Sequence, residues 1–132
     1  MNDLHGHILP HEDKTVREDK PVGGAAYFAG IIQGERSKNP DGTLLLSAGD
    51  MFQGTAISNV FKGEPVLEIM NALQFDAMAI GNHEFDWGRD ALDQLRREAR
   101  FPFLSANIIQ KNGAGLEGVK PYILLNRKGV NV

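Results

Sequence analysis

Two short apolar runs in this chain end the same way: residues 43–48 run into Gly49-Asp50, and residues 76–80 run into Gly81-Asn82-His83. Runs of that length, bounded by glycine and polar residues, read as buried strands. Helical patterns lie around them. Residues 24–35 place Ala25, Phe28, Ala29 and Ile32 on one face at helical spacing, and Asn39-Pro40-Asp41-Gly42 then breaks the pattern as a turn. A second helix opens at Glu64-Pro65, where proline suits a first turn, and presents Val66, Ile69, Met70 and Leu73 to a core. A third, over residues 89–99, buries Leu92, Leu95 and Ala99 and leaves Arg96, Arg97 and Glu98 solvated. Further strands are expected at 101–106 and 122–126. Strands separated by helices of this length need crossover connections, so the expected fold class is α/β, a largely parallel sheet with flanking helices.

With 132 residues, 42% of them hydrophobic and 23% charged, the chain can bury one core and is too short for two ordinary domains. A formal net charge of -3 argues against a nucleic-acid polymer as partner, because tracking a phosphate backbone needs a basic surface. No stretch is long and apolar enough to span a bilayer, and no charged n-region followed by an apolar h-region opens the chain. The absence of cysteine excludes thiolate zinc sites, redox pairs and disulfides, and leaves the compartment open. None of the 15 glycines forms a Walker loop or a dinucleotide fingerprint, which excludes an ATPase or dehydrogenase reading.

The carboxyl ends of parallel strands lie along one edge of a sheet, where ligands of open α/β folds bind. Asp50 and Asn82-His83 sit just past two such ends. Asp3 and His5 are two apart, so if they finish a strand their side chains project from one face. The three clusters converge if these strands are neighbours, and would then deliver hard oxygen ligands and imidazoles to one place, the composition of a two-metal hydrolytic site. Helix starts after two of the clusters would add partial positive charge and favour an anionic substrate.

Asp3-Leu4-His5-Gly6-His7, Gly49-Asp50-Met51-Phe52-Gln53-Gly54 and Gly81-Asn82-His83-Glu84-Phe85-Asp86 resemble the first three motifs of the calcineurin-like metallophosphoesterases. The flanking Phe61-Lys62-Gly63-Glu64-Pro65-Val66 and Phe103-Leu104-Ser105-Ala106-Asn107 are similar to the branch of 5'-nucleotidases and 2',3'-cyclic nucleotide phosphodiesterases. The resemblance implies a partial metallophosphoesterase α/β sandwich and two divalent metal ions, drawn from manganese, zinc, cobalt, iron or magnesium. Asp3 and His5 would be ligands of one metal, Asp50 the carboxylate bridging both, and Asn82 a ligand of the second. His83 would not bind metal; paired with Asp86, it would stabilise the transferring phosphoryl group. Two dications roughly 3.5–4 Å apart repel, so a shared anion is needed between them, and water held there falls towards a pKa of about 7. The implied reaction is hydrolysis of a nucleotide phosphoester by in-line attack of a metal-bridging hydroxide, with no covalent enzyme intermediate. Family members are often periplasmic, secreted or surface-anchored, and keep their base-binding aromatics in a separate carboxyl-terminal domain.

Two departures from that pattern bear on completeness. Only Met1-Asn2 precedes Asp3, where the family has an apolar strand, and no histidine follows His83, where the family has a Gly-His-x-His segment and further ligands. Residues 1–132 are therefore expected to be a single partial domain, the amino-terminal portion of a catalytic domain lacking its first strand and carboxyl-terminal half, and not a complete catalyst by itself. Each residue also has a plainer reading. Asp50 could cap the following helix, Asn82 could occupy a left-handed turn, Asp3-His5 could be a frayed terminus, and His83-Asp86 could be a structural pair. Glu84 is assigned no role. His7 is expected near the site, His11 in a solvated loop, Phe85 and Trp87 in the core, and Asn107 behind the ligands. Two other functions compete: a non-catalytic remnant that binds one metal or phosphate weakly, and a structural α/β interaction module.

Overall fold

Glycines and a proline set the helix limits. In the computed structural model, which describes residues 1–16 and 18–132, helix α1 (Ala25–Lys38) begins after Gly24, held at φ 86°, and ends at Asn39, whose N–H reaches the Arg36 and Glu35 carbonyls. Its expected inner face is shallow: Ile32 is buried, while Ala25 and Phe28 lie half-buried against the core. Strand β1 (Leu46–Ser47) follows, then a short helix α2 (Ala56–Val60) that periodicity did not announce. Helix α3 (Glu64–Ala72) carries its proline in the first turn and buries Val66, Leu67 and Met70. Strand β2 (Ala77–Ala79) leads through a three-residue 3-10 turn (His83–Phe85) to α4 (Arg89–Glu98), which buries Leu92 and Leu95. Arg96, expected in solvent, is half-buried beside Asp93 at 3.4 Å.

Strand β3 (Phe103–Leu104) completes a three-stranded, wholly parallel sheet in the order β1-β2-β3, with Leu46 opposite Ala77 and Met78 opposite Phe103. The ladders are shorter than the apolar runs that announce them. Pro102, for example, has no N–H to give and contributes only its carbonyl, which accepts from Met78 at 3.1 Å. The core centres on Met51, Phe52, Val66, Leu67, Met70, Met78, Leu92 and Phe103, all essentially sealed from solvent. Phe75, Phe101, Phe103 and Phe52 run through it as a chain of rings 5.8–6.2 Å apart. Each such side chain contributes about 1.5–3 kcal/mol when buried, which is what holds the strand ends in place.

The strand expected over 122–126 does not form. Tyr122 and Leu124 are exposed, and the chain instead makes a small antiparallel hairpin, β4 (Asn126–Arg127) with β5 (Val130–Asn131). Lys128 at φ 51° and Gly129 at φ 81° make the two-residue turn, a conformation matched to the twist of paired antiparallel strands. Among the described residues no helix is long and apolar enough to cross a membrane.

Candidate metal centre

The first 6 residues lie along the end of β1. The Met1 amino group donates to the Leu46 carbonyl, Ala48 N–H to Met1, Asp3 N–H to Gly49, His5 N–H to Asp50 and Gly6 N–H to Met51, all at 2.8–3.1 Å. Asp3 and His5 do not finish a strand, the condition under which their spacing alone would have set them on one face. Both are left-handed, at φ 51° and 49°, and so is Asp50 at φ 54°. Each such residue costs of order 1–3 kcal/mol and persists only where its surroundings over-determine it; the backbone bonds to residues 48–51 do so here. Side-chain convergence therefore comes from two left-handed bends, not from strand alternation.

Asp3, His5 and Asp50 come together: one ligand atom from each lies within 4.8 Å of the others. His5 Nε2 is 3.8 Å from an Asp3 carboxylate oxygen. Its Nδ1–H donates to the Gln53 carbonyl at 2.8 Å, which selects the tautomer whose Nε2 lone pair faces the carboxylates. Gly54 makes that approach possible, since a Cβ there would overlap the His5 carbonyl. Oxygen and imidazole donors of this kind suit a divalent cation, so the residues present fit the metal expected.

The third cluster abuts this one. A Cβ on Gly81 would overlap the Asp50 carboxylate, so only glycine lets the ends of β1 and β2 meet there. Asn82 follows directly, exposed and right-handed at φ -75°; the left-handed turn that was its plainer reading is not what it adopts. Among the described residues its side chain makes no hydrogen bond. His83 donates its N–H to Asp50 Oδ1 at 2.9 Å, and its ring meets the His5 ring edge-on at 5.0 Å. Its Nδ1–H donates to Asp86 Oδ2 at 2.8 Å. That bond raises the His83 pKa above 6.5; desolvation opposes it, and the charges of Asp86, Asp50 and Glu84 reinforce it. The helix starts expected after two of the clusters are short. A single 3-10 turn follows Asn82 and the five-residue α2 begins only at Ala56, neither long enough for an appreciable dipole.

The remaining candidates fall outside the cluster. His7 and His11 are exposed, with rings 6.0 Å apart, beside an apolar groove of about 480 Å³ lined also by Tyr27, Phe28 and Ile31. Phe85 and Trp87 pack against the core, as the packing reading has it. Asn107 is exposed just past the third strand and accepts from the Ser105 hydroxyl at 3.2 Å.

Sequence reasoning missed Glu84. It is 2% exposed, and its carboxylate accepts from the N–H groups of Asp50, Met51 and Gly81 at 2.9, 2.8 and 2.6 Å. Desolvation raises its pKa, the three N–H bonds pull it back down, and the Asp50 charge raises it further. A polar residue three places after a strand-end glycine and followed by an aromatic was the available signal, but its inward direction is not readable from spacing.

Residues 1–129 match the family model described as calcineurin-like phosphoesterase. The chain is 46% identical over 114 residues to the 5'-nucleotidase of Homo sapiens, covering 83% of this chain and 20% of that protein. It is 42% identical over 130 residues to the snake venom 5'-nucleotidase of Crotalus adamanteus, covering 93% and 21%. The crystal structure of a 5'-nucleotidase precursor from Thermus thermophilus superposes with a TM-score of 0.87 at 36% identity, over 99% of this chain and 26% of that one. The chain thus spans about a fifth of the length of these two relatives.

Proposed function

Because this chain belongs to the calcineurin-like phosphoesterase family, we propose that it carries the first part of a catalytic domain that hydrolyses phosphoesters of nucleotides, of the 5'-nucleotidase or 2',3'-cyclic phosphodiesterase kind, with two divalent cations. The observation that carries this reading is the convergence of Asp3, His5 and Asp50 within 4.8 Å, against the His83-Asp86 pair. Asp3, His5, Asp50 and Asn82 would hold the cations, Asp3 and His5 serving one, Asn82 the other, and Asp50 as the carboxylate common to both. When bound, such cations supply an acidified water as nucleophile and neutralise the phosphate oxygens.

The chain's own residues do the rest. The Gln53 carbonyl keeps the His5 proton on Nδ1 and its lone pair on the cation side. Asp86 holds His83 by Nδ1, leaving Nε2 to donate to a phosphate oxygen or to the departing alkoxide, and favours the imidazolium that can do so. The His83 amide on Asp50 Oδ1 ties the phosphate-facing imidazole to the shared carboxylate. Residues 1–132 form part of one domain, with the remaining ligands and the base-recognising surface supplied by the rest of a longer protein; the length of the relatives supports this. A venom 5'-nucleotidase among those relatives supports action outside the cytoplasm.

Calorimetric titration of the chain with Mn²⁺ tests the site, and release of p-nitrophenol from p-nitrophenyl phosphate tests catalysis. Mn²⁺ uptake that Asp50→Ala abolishes in a still-folded chain is the expected result. A folded wild-type chain that takes up no Mn²⁺ overturns the metal reading. Uptake without turnover is the expected outcome for a chain whose remaining ligands lie elsewhere in a longer protein, and turnover by the chain alone overturns the reading that the site is partial.

A further inference from the structure

We propose that Glu84 is a positioning residue for the cation site: its buried carboxylate sets the Asp50 loop against the Asn82 loop. This rests on the metal reading above. One oxygen, Oε2, accepts from both Asp50 N–H at 2.9 Å and Gly81 N–H at 2.6 Å, so a single atom bridges the ends of β1 and β2. The other, Oε1, accepts from Met51 N–H at 2.8 Å. Two of these donors belong to Asp50 and to its neighbour; the third immediately precedes Asn82.

The linkage is reciprocal. Glu84 takes the Asp50 N–H while the Asp50 carboxylate takes the His83 N–H at 2.9 Å, so each loop's acid satisfies the other loop's backbone. The two loops also touch directly, since a Cβ on Gly49 would lie 2.6 Å from Gly81 N. Neither loop can rotate alone. A side chain needed only to fill core volume would be apolar at this depth, and here it is a carboxylate with no Lys or Arg partner among the described residues. Its partners are three backbone donors that would otherwise be left unpaired beside a left-handed residue. The cross-link thus acts on Asp50 and Asn82 through their backbones, without Glu84 itself reaching the cation.

Glu84→Gln keeps the size and replaces one acceptor oxygen by an amide that faces an N–H group. The expected result is a Mn²⁺ affinity lower by about tenfold or more. The His5 amide resonance, whose N–H donates to the Asp50 carbonyl at 3.1 Å and which is remote from Glu84 in sequence, should also shift in the metal-free chain, because Asp50 moves. Asn71→Ala serves as control: it removes the bonds to Glu98 and Arg100 at the far end of α4 and should lower the melting temperature without moving either readout. A folded Glu84→Gln chain within about twofold of wild-type affinity overturns the proposal. If the wild-type chain takes no Mn²⁺, the metal reading fails, and an unmoved His5 amide in Glu84→Gln separately disposes of the cross-link. Should the variant not fold, hydrogen exchange of the wild-type chain decides: Asp50, Met51 and Gly81 amides must be protected, and fast exchange sinks the idea.

Discussion

The two ends of the parallel sheet handle charge in opposite ways. At the amino end, Asp76 sits just before β2, accepts the Leu45 N–H at 2.8 Å and pairs with the Arg127 guanidinium of the hairpin. Arg36 caps the exit of α3 by donating to the Leu73 and Gln74 carbonyls at 2.7 and 2.8 Å. Each charge there has an opposite charge or a carbonyl, and the left-handed Gln74 is an ordinary helix stop. At the carboxyl end, Asp3, Asp50 and Glu84 gather with no Lys or Arg against them among the described residues. The imidazoles of His5 and His83 offer partial compensation. One end has balanced its charge internally and serves stability; the other holds an excess of negative charge in strained residues, an arrangement that gains most from an incoming cation.

Asp50→Asn breaks this contrast most sharply. Wild type at Mn²⁺ concentrations of 100 Kd should gain about 2.7 kcal/mol in unfolding free energy, and the variant should gain none. Without metal the variant should match wild type within about 0.5 kcal/mol, because the amide oxygen can still accept the His83 N–H; urea titrations with and without Mn²⁺ check both. Asp76→Ala should do the reverse, costing about 2 kcal/mol by leaving the Leu45 N–H and the half-buried guanidinium without their acceptor, while Mn²⁺ affinity stays put. The smallest effect concerns His83. In the metal-free chain its ring should titrate above 6.5, and Asp86→Asn should bring the midpoint down, as read from ring proton shifts. The folded value is raised, so the stabilisation is complete below 6.5 and disappears as pH climbs through the folded value; Asp86→Asn should flatten that slope. A ring midpoint that Asp86→Asn leaves unmoved would mean that Asp86 does not set it.

Helices α3 and α4 and the two strand ends at Gly49 and Gly81 were legible because apolar spacing, a first-turn proline and strand-end glycines are local signals. The hairpin after Leu125 was not, since its pairing depends on φ > 0 at Lys128, which no apolar pattern reports. Nor was α2, whose entry is held by Thr55, with its hydroxyl on the Gly6 carbonyl 49 residues away. Arg96 read as solvated because helix periodicity places it outside, but it does not show the Asp93 carboxylate that draws it in.

Sequence alone therefore determined the order α1-β1-α3-β2-α4-β3 and which residue types would stand at the strand ends, because both follow from spacing within a few positions. Tertiary structure alone decided that Asp3 and His5 bend left-handed towards Asp50, and that Glu84 turns inward to the Asp50 and Met51 amides 34 and 33 residues earlier. Those outcomes hang on backbone donors and acceptors brought together only once β1 and β2 lie side by side, and a one-dimensional pattern carries no record of which buried N–H will be left in need of a partner.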